Sequence, residues 1–396
     1  MKWQIKKLGE ICDFEGGSQP PKSKFVHNLK NGYVRFLQIR DFKSDKNITY
    51  IPESKKNRLC IKEDILIGRY GASVGQILTN EEGAYNVALM KTMPNKNVFN
   101  KDFFYYYLIS DEFQSRLAKV SARSAQAGFS KDDIYDFPVL TPPIPEQKRI
   151  VKILDEVFGK VEKAKENAEK NLNNSKELFE SYLQSVFADN AEQKKLGDKN
   201  LLQIIDGDRG KNYPKKSDFL HEGFCLFLNT KNVRPDGFDF QTTMFITEKK
   251  DNALGNGKLQ RNDVLLTTRG TIGNIAVYNK NVSFENIRIN SGMLIFRPNT
   301  KLIIPEYLFA IFQSVIMKSQ IKKYVSGAAQ PQLPIKTLVN FSIPVPKSLS
   351  EQKTIVKKLD ALSAKTKKLE KIYERKLADL EELKKSVLSK AFKGEL

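Results

Sequence analysis

The sequence predicts an α+β protein: two mixed α/β globular domains related by an internal repeat, joined by two long antiparallel coiled-coil helices. Three observations carry that reading. EQKRIVKILD, from Glu146 to Asp155, returns as EQKTIVKKLD, from Glu351 to Asp360, 205 residues later. A proline cluster precedes each copy, FPVLTPPIP at 137–145 and FSIPVPKSLS at 341–350. An apolar 4,3,4,3 spacing then continues for ~40 residues, the period of a coiled-coil stripe.

The repeat extends upstream of the helices. KKLG at Lys6 to Gly9 returns at Lys194 to Gly197, and His27 and His221 each come seven residues after a proline (Pro20, Pro214). GYVRFL (32–37) and GFCLFL (223–228) each read as a turn glycine entering a strand. DILIGRYGASVG (64–75) returns as DVLLTTRGTIGN (263–274), an aliphatic strand running into a glycine loop rich in basic, aromatic or hydroxyl residues. KVSARSAQAGFS (119–130) is similar to KYVSGAAQPQLP (323–334). The closely spaced prolines cannot be helical whereas the residues after them can, so each cluster marks a helix start. The chain is two copies of one unit, a globular domain of ~140 residues and a helix of ~40 residues, or ~60 Å at 1.5 Å per residue.

The second helix places Ile355, Leu359, Leu362, Thr366, Leu369, Tyr373, Lys376, Leu380, Leu383 and Val387 on one stripe. The first does so with Ile150, Leu154, Val157, Val161, Ala164, Ala168, Asn171, Ser175, Leu178 and Tyr182. The middle of the first stripe is small and that of the second is large, so the two complement one another better than either complements itself. This predicts pairing within one chain, antiparallel, with Ala164 and Ala168 facing Leu369 and Tyr373. The competing arrangement is two amphipathic helices lying on their own domains.

A length of 396 residues suggests two or three domains. The formal charge of +20 points to a polyanionic partner, nucleic acid first, although a lysine-rich chain also arises from an AT-rich genome. Cys12, Cys60 and Cys225 are odd in number and widely spaced, which argues against structural zinc and a disulfide framework and fits a reducing cytoplasm. MKWQIKKLGE has no apolar run behind its lysines, so no signal peptide is expected, and no stretch approaches the ~18 apolar residues of a membrane span. There is no G-x-x-x-x-G-K-[ST] phosphate loop and no Asn/Asp-Pro-Pro-aromatic methyltransferase motif. Pro235, Asp236, Glu248 and Lys250 mimic a nuclease pattern, but a chain this rich in charge produces such matches by chance and the first repeat lacks it.

The proline cluster running into E-Q-x-x-I-V twice per chain, the tail LSKAFKGEL (388–396) and the GASVG and RGTIG loops resemble the specificity subunits of bacterial type I restriction-modification systems. The likeness covers essentially the whole chain and its repeat order. It implies a DNA-sequence-specificity subunit with no catalytic chemistry of its own and no cofactor. Residues 1–145 and 191–350 are then target-recognition domains, each reading one half of a bipartite double-stranded DNA sequence. Residues 146–190 and 351–396 are then spacer helices that set the gap and dock two modification subunits, adenine methyltransferases. Restriction subunits, ATP-dependent endonuclease-translocases, can join them. The implied setting is cytoplasmic, with no membrane partner. Independently, two copies of a reader on a rigid ~60 Å spacer predict two half-sites on successive major grooves, ~34 Å apart. Two other readings stay open: a stand-alone nucleic-acid-modifying enzyme, which the missing nucleotide and methyl-donor motifs disfavour, and a non-DNA coiled-coil scaffold.

The expected DNA contacts lie in the strand-loop segments: Arg69, Tyr70 and Ser73, with Thr267, Thr268, Arg269 and Thr271 as their counterparts. Arginine reads guanine bidentately, and hydroxyls and loop N–H groups hold phosphate. A tight hairpin that merely needs glycine is the alternative. Lys22, Lys24, Lys215 and Lys216 flank equivalent turns and suit phosphate. Gln38, Arg40, Asn229 and Lys231 end equivalent strands within reach of base edges, and Gln126, Gln330 and Gln332 lie in the last loop of each domain. A solvated surface role competes for all of these. One imidazole per domain, His27 and His221, suggests a structural hydrogen bond rather than a metal site.

Overall fold

The computed structural model describes residues 3–122, 127–188, 192–325 and 331–396; Gln126 and Gln330 lie outside the described residues. The chain divides into two compact units, 1–169 with 375–396, and 170–374. No helix among the described residues is long and apolar enough to cross a membrane.

In the first unit an antiparallel sheet runs in the order Cys12–Gly16, Leu89–Pro94, Leu66–Gly68, Ile77–Leu78. A second runs Tyr50–Pro52, Tyr33–Leu37, Gly83–Tyr85, Leu59–Cys60, and its middle pair is parallel. Gln4–Lys7 pairs with Pro138–Thr141, which ties the start of the chain to the strand before the first long helix. Helices Lys101–Ile109 and Asp111–Ser121 cover the first sheet with Phe103, Phe104, Phe113 and Leu117 buried in one core. Asn100 caps the first of them, its Oδ1 accepting from the Phe103 N–H at 3.0 Å.

The second unit repeats this plan. Its sheets run Leu202–Asp206, Met293–Pro298, Val264–Thr267, Ile275–Val277, and Phe245–Ile246, Cys225–Leu228, Ile287–Ile289, again with a parallel pair in the latter. Glu192–Lys195 pairs with Ser342–Val345, and helices Pro305–Gln313 and Val315–Tyr324 occupy the places of their first-unit equivalents. A hairpin of Val233–Arg234 with Gly237–Phe238 has no named equivalent among the described residues of the first unit.

The long helices span Ile144–Ala188 and Leu349–Lys393. Each begins with a glutamine clamp. Gln147 is fully buried; its Nε2 donates to the carbonyls of Val98 (2.7 Å) and Pro142 (2.8 Å), and its Oε1 accepts from Asn100 N–H (2.7 Å). Gln352 repeats the arrangement, donating to Leu302 at 2.8 Å and accepting from Ile304 N–H at 3.0 Å. Antiparallel pairing is visible within the first unit: Ile150 and Leu154 share a core with Leu388, Ala391 and Phe392, while Lys165 further along meets Glu381 at 3.0 Å.

That register corrects one expectation. Ala164, next to Lys165, is level with Glu381 rather than with Leu369, which lies roughly three turns (~18 Å) back along the same helix. A second correction concerns the stripe itself. Leu369 and Leu383 are 38% and 45% exposed and Leu178 is 52% exposed, while Phe179, next to Leu178, packs against the core of the second unit. A straight helix drifts ~20° per heptad against a strict 3.5-residue repeat, so a stripe counted in heptads rotates off the seam within a few turns.

Candidate nucleic-acid interface

Three loops converge at one end of each unit. In the first, Asn86 N–H donates to the Leu37 carbonyl (3.0 Å), Ser18 N–H to Tyr85 (3.1 Å), Arg69 N–H to Ala88 (2.8 Å) and Gly71 N–H to Ala127 (2.9 Å). These bonds gather the ends of separate strands into one rim carrying Gln38, Tyr70 and the turn Gly71–Ser73. The approach is close: a Cβ on Gly17 would lie 2.0 Å from the Asn86 carbonyl oxygen, and Gly207 stands in the same relation to Asn290 at 2.3 Å. The second rim is built alike, with Asn290 N–H on Leu228 (3.0 Å), Thr268 N–H on Gly292 (2.8 Å) and Leu333 N–H on Thr268 (3.0 Å).

The glycine loops are turned by Gly71 and Gly270, at φ +61° and +69°, a region that favours glycine. Immediately before them stand Tyr70 and Arg269, each bridged to the last loop of its unit, Tyr70 to Gly128 and Arg269 to Gln332. Arg269 therefore corresponds in space to Tyr70, not to Arg69. Both are exposed, and the Arg269 guanidinium makes no hydrogen bond or ion pair among the described residues. Arg69 is folded back: its Nε donates to the Phe129 carbonyl at 3.3 Å and its guanidinium lies over the Tyr70 ring at 5.0 Å.

Thr267 and Thr268, expected to offer hydroxyls to phosphate, are turned inward, and this is a correction. Thr267 Oγ1 donates to the Thr271 carbonyl and accepts from Asn274 N–H at 3.0 Å; Thr268 Oγ1 donates to the Gly292 carbonyl at 3.1 Å. Their hydroxyls close a turn one residue shorter than its first-unit equivalent, where Gly68 lies too close to the Ser73 carbonyl to carry a side chain. Thr271 stays exposed, donating to the Thr230 carbonyl at 3.4 Å, and Ser73 is half-buried.

Asn229 caps the turn Thr230–Asn232, its Oδ1 accepting from Lys231 N–H at 2.8 Å, and leaves Lys231 exposed. Gln38 starts the turn Ile39–Phe42, its N–H donating to Asp41 at 2.7 Å, and Arg40 is exposed. Burial pushes the Asp41 carboxyl upward in pKa against its bond from Gln38 and the nearby Arg40 charge. Lys22, Lys24, Lys215 and Lys216 are exposed, on turns leading to the edge strands through the bridges Val26–Tyr50 and Leu220–Phe245. His27 hydrogen-bonds the Ile48 carbonyl at 3.2 Å.

Arg209 belongs to the second rim and the sequence reading passed over it. It reaches the Ser291 carbonyl (3.3 Å) and Asp206 (3.1 Å), and with Arg269 and Gln332 it lines a cavity of about 200 Å³. Its loop is held by buried Asp208. Burial raises that carboxyl's pKa, but the N–H groups of Gly210, Gly255 and Asn256 outweigh it and leave a net lowering. Aligning EGGSQP with DGDRGK on Gly17 and Gly207 sets Arg209 opposite Gln19, which was not an expected contact, so the repeat alone did not mark it. Among the described residues no group of three or more His, Cys, Asp or Glu side chains could hold a metal ion.

The model of the family described as "Type I restriction modification DNA specificity domain" matches residues 1–171 and again 189–378. The chain belongs to this family. Its role is DNA sequence specificity within type I restriction-modification, and the two matches coincide with the two structural repeats. Relatives include the type I restriction enzyme EcoBI specificity subunit of Escherichia coli, 25% identical over all of this chain and 86% of that one. The MjaVIII specificity subunit of Methanocaldococcus jannaschii is 24% identical over all of this chain and 93% of that one. The same fold occurs in a chain solved in a study of complex assembly and conformational transition of the type I R-M system, with a TM-score of 0.78, 20% identity and coverage of 100% and 98%. It occurs also in the HsdS subunit of Thermoanaerobacter tengcongensis, with a TM-score of 0.62, 19% identity and coverage of 100% and 97%.

Proposed function

We propose that each rim of this type I specificity subunit reads one half of a bipartite duplex DNA sequence, and that the long helices set the gap and dock two modification subunits. Restriction subunits can join that assembly. The chain supplies recognition and no catalysis, in the cytoplasm. The readers are residues 1–145 and 191–350; the spacers are 146–190 and 351–396. The observation that carries this reading is the duplicated rim, in which the same backbone scaffold presents Tyr70 in one copy and Arg269 in the other. A scaffold kept while its exposed side chains change is what two readers of different sequences require. Arg269, Arg209 and Gln332 face bases in the second half-site, joined by Asn229, Lys231 and Thr271. Tyr70, Gln38, Arg40 and Ser73 do so in the first. Lys22, Lys24, Lys215 and Lys216 hold phosphates on either side, and the +20 charge supports such contacts.

The test is selection from a random duplex library by the chain assembled with its modification subunit, repeated at several salt concentrations. The expected product is one split motif whose affinity falls with log[salt] by roughly 0.9 per phosphate contacted. Enrichment of a single contiguous motif, or of none, overturns the reading.

A further inference from the structure

The repeat provides an internal comparison at the joint between globular domain and long helix. In the first unit Tyr106 fills that joint. Its hydroxyl donates to Asp155 at 2.6 Å and its ring stands edge-on to Phe158, centroids 5.4 Å apart. Lys384 lies over the Phe158 ring at 5.1 Å. The helices on both sides have equal lengths in the two units, nine residues for Lys101–Ile109 and Pro305–Gln313 and 45 for the long helices. The glutamine clamps fix the alignment, which puts Ala310 at the place of Tyr106, Ser363 at that of Phe158 and Asp360 at that of Asp155.

Two rings are thus missing from the second unit, and a cleft of about 450 Å³ stands in their place. Its floor is apolar, with Phe309, Ala310 and Leu359; Asp236, Glu306 and Asp360 line it as acids and Lys367 as a base, so the acids are in excess. Asp360 has lost the tyrosine that its equivalent holds and makes no hydrogen bond or ion pair among the described residues. The additional hairpin walls the cleft, fixed by Gln313 Nε2 donating to the Pro235 carbonyl at 3.2 Å.

We propose that this cleft docks a segment of a partner protein that presents an aromatic side chain beside a lysine or arginine. The ring replaces the packing that Tyr106 and Phe158 supply in the other repeat, and the cation meets the carboxylates. The volume falls within the range of preformed binding sites, and a buried aromatic anchor beside a paired charge is the usual composition of a binding hot spot. Nucleic acid is a poor occupant, because its phosphates would face three carboxylates against the one ammonium of Lys367, in a chain whose net charge is +20.

The probe is the pentapeptide acetyl-Lys-Tyr-Lys-Phe-Lys-amide, titrated calorimetrically into the full chain. Saturable binding at one site per chain is expected, abolished by the Ala310→Tyr, Ser363→Phe pair that rebuilds the first unit's packing. Asp360→Asn should weaken binding at least fivefold, whereas Asp155→Asn leaves it unchanged. If the double variant does not fold, Asp236→Asn with Asp360→Asn reads the charge requirement alone and should weaken binding by more than either change. Absence of saturable binding to the native chain, equal affinity in the refilled or charge-neutralised variants, or displacement of the peptide by duplex DNA overturns the proposal. Dimerisation of the chain that refilling abolishes would assign the cleft to a second copy instead, and would overturn it as well.

Discussion

The buried amide of Gln147 accepts a hydrogen bond from the backbone N–H of Asn100 at 2.7 Å, joining the first turn of a long helix to the cap of the helix Lys101–Ile109. Gln352 does the same for Ile304. This is the physical content of the repeated E-Q pair: one side chain satisfies an N–H and two carbonyls at a junction where proline has removed other partners. Gln147→Leu orphans those groups and should lower unfolding stability by at least ~2 kcal/mol, read by urea denaturation, since each unsatisfied buried polar group costs about 1–3 kcal/mol. An unchanged midpoint would remove the clamp from the account.

Arg269, directly before its loop glycine, and Arg69, one residue further back in its own loop, should behave in opposite ways. Arg269→Ala should relax base preference at one position of the second half-site by ~1–3 kcal/mol, with stability unchanged. Arg69→Ala should leave the preferred bases alone and lower stability, because its guanidinium is bonded to Phe129 and stacked on Tyr70. Competition binding against single-base variants, paired with thermal melts, separates the two. A uniform loss of affinity for every sequence in the Arg269 variant would assign it to phosphate.

Helix pairing makes a third prediction. Ala168 is buried, so Ala168→Leu should destabilise by ~1–3 kcal/mol through overpacking. Leu369 is 38% exposed, so Leu369→Ala should cost less. Equal thermal shifts for the two variants would contradict the observed seam.

Acid should loosen the second rim through Asp208. Its carboxyl pKa is lowered on folding despite burial, by the N–H groups of Gly210, Gly255 and Asn256. A depressed folded pKa means that this contribution is fully present above the unfolded value near 3.9 and is lost as pH falls through the folded value. The stability difference between the native chain and Asp208→Ala should therefore be constant from pH 7 to about 5 and shrink below about 4. A difference that grows on acidification would contradict the assignment.

Much of the fold was legible because the repeat exposes it. Motifs matched at KKLG, the glycine loops and E-Q-x-x-I-V each proved to lie on equivalent elements of the two units. The helix register was not legible, because heptad counting assumes supercoiled helices and these drift, leaving Leu369 and Leu383 exposed. Thr267 and Thr268 were misread because a hydroxyl beside a glycine loop closes the turn as readily as it binds phosphate, and only the shortened second loop decides between them. Arg209 escaped because its loop comes from a distant strand that only folding brings beside Arg269.

The central claim is that the two rims read independently, and the most direct measurement is the methylated motif left by a chimera. Residues 10–140 are replaced by the equivalent reader of another family member, and the chain is expressed with its modification subunit in cells whose DNA is sequenced for adenine methylation. The account predicts that one half of the split motif changes while the other half and the gap between them stay the same. A swap that alters both halves together, or leaves both intact, would contradict it.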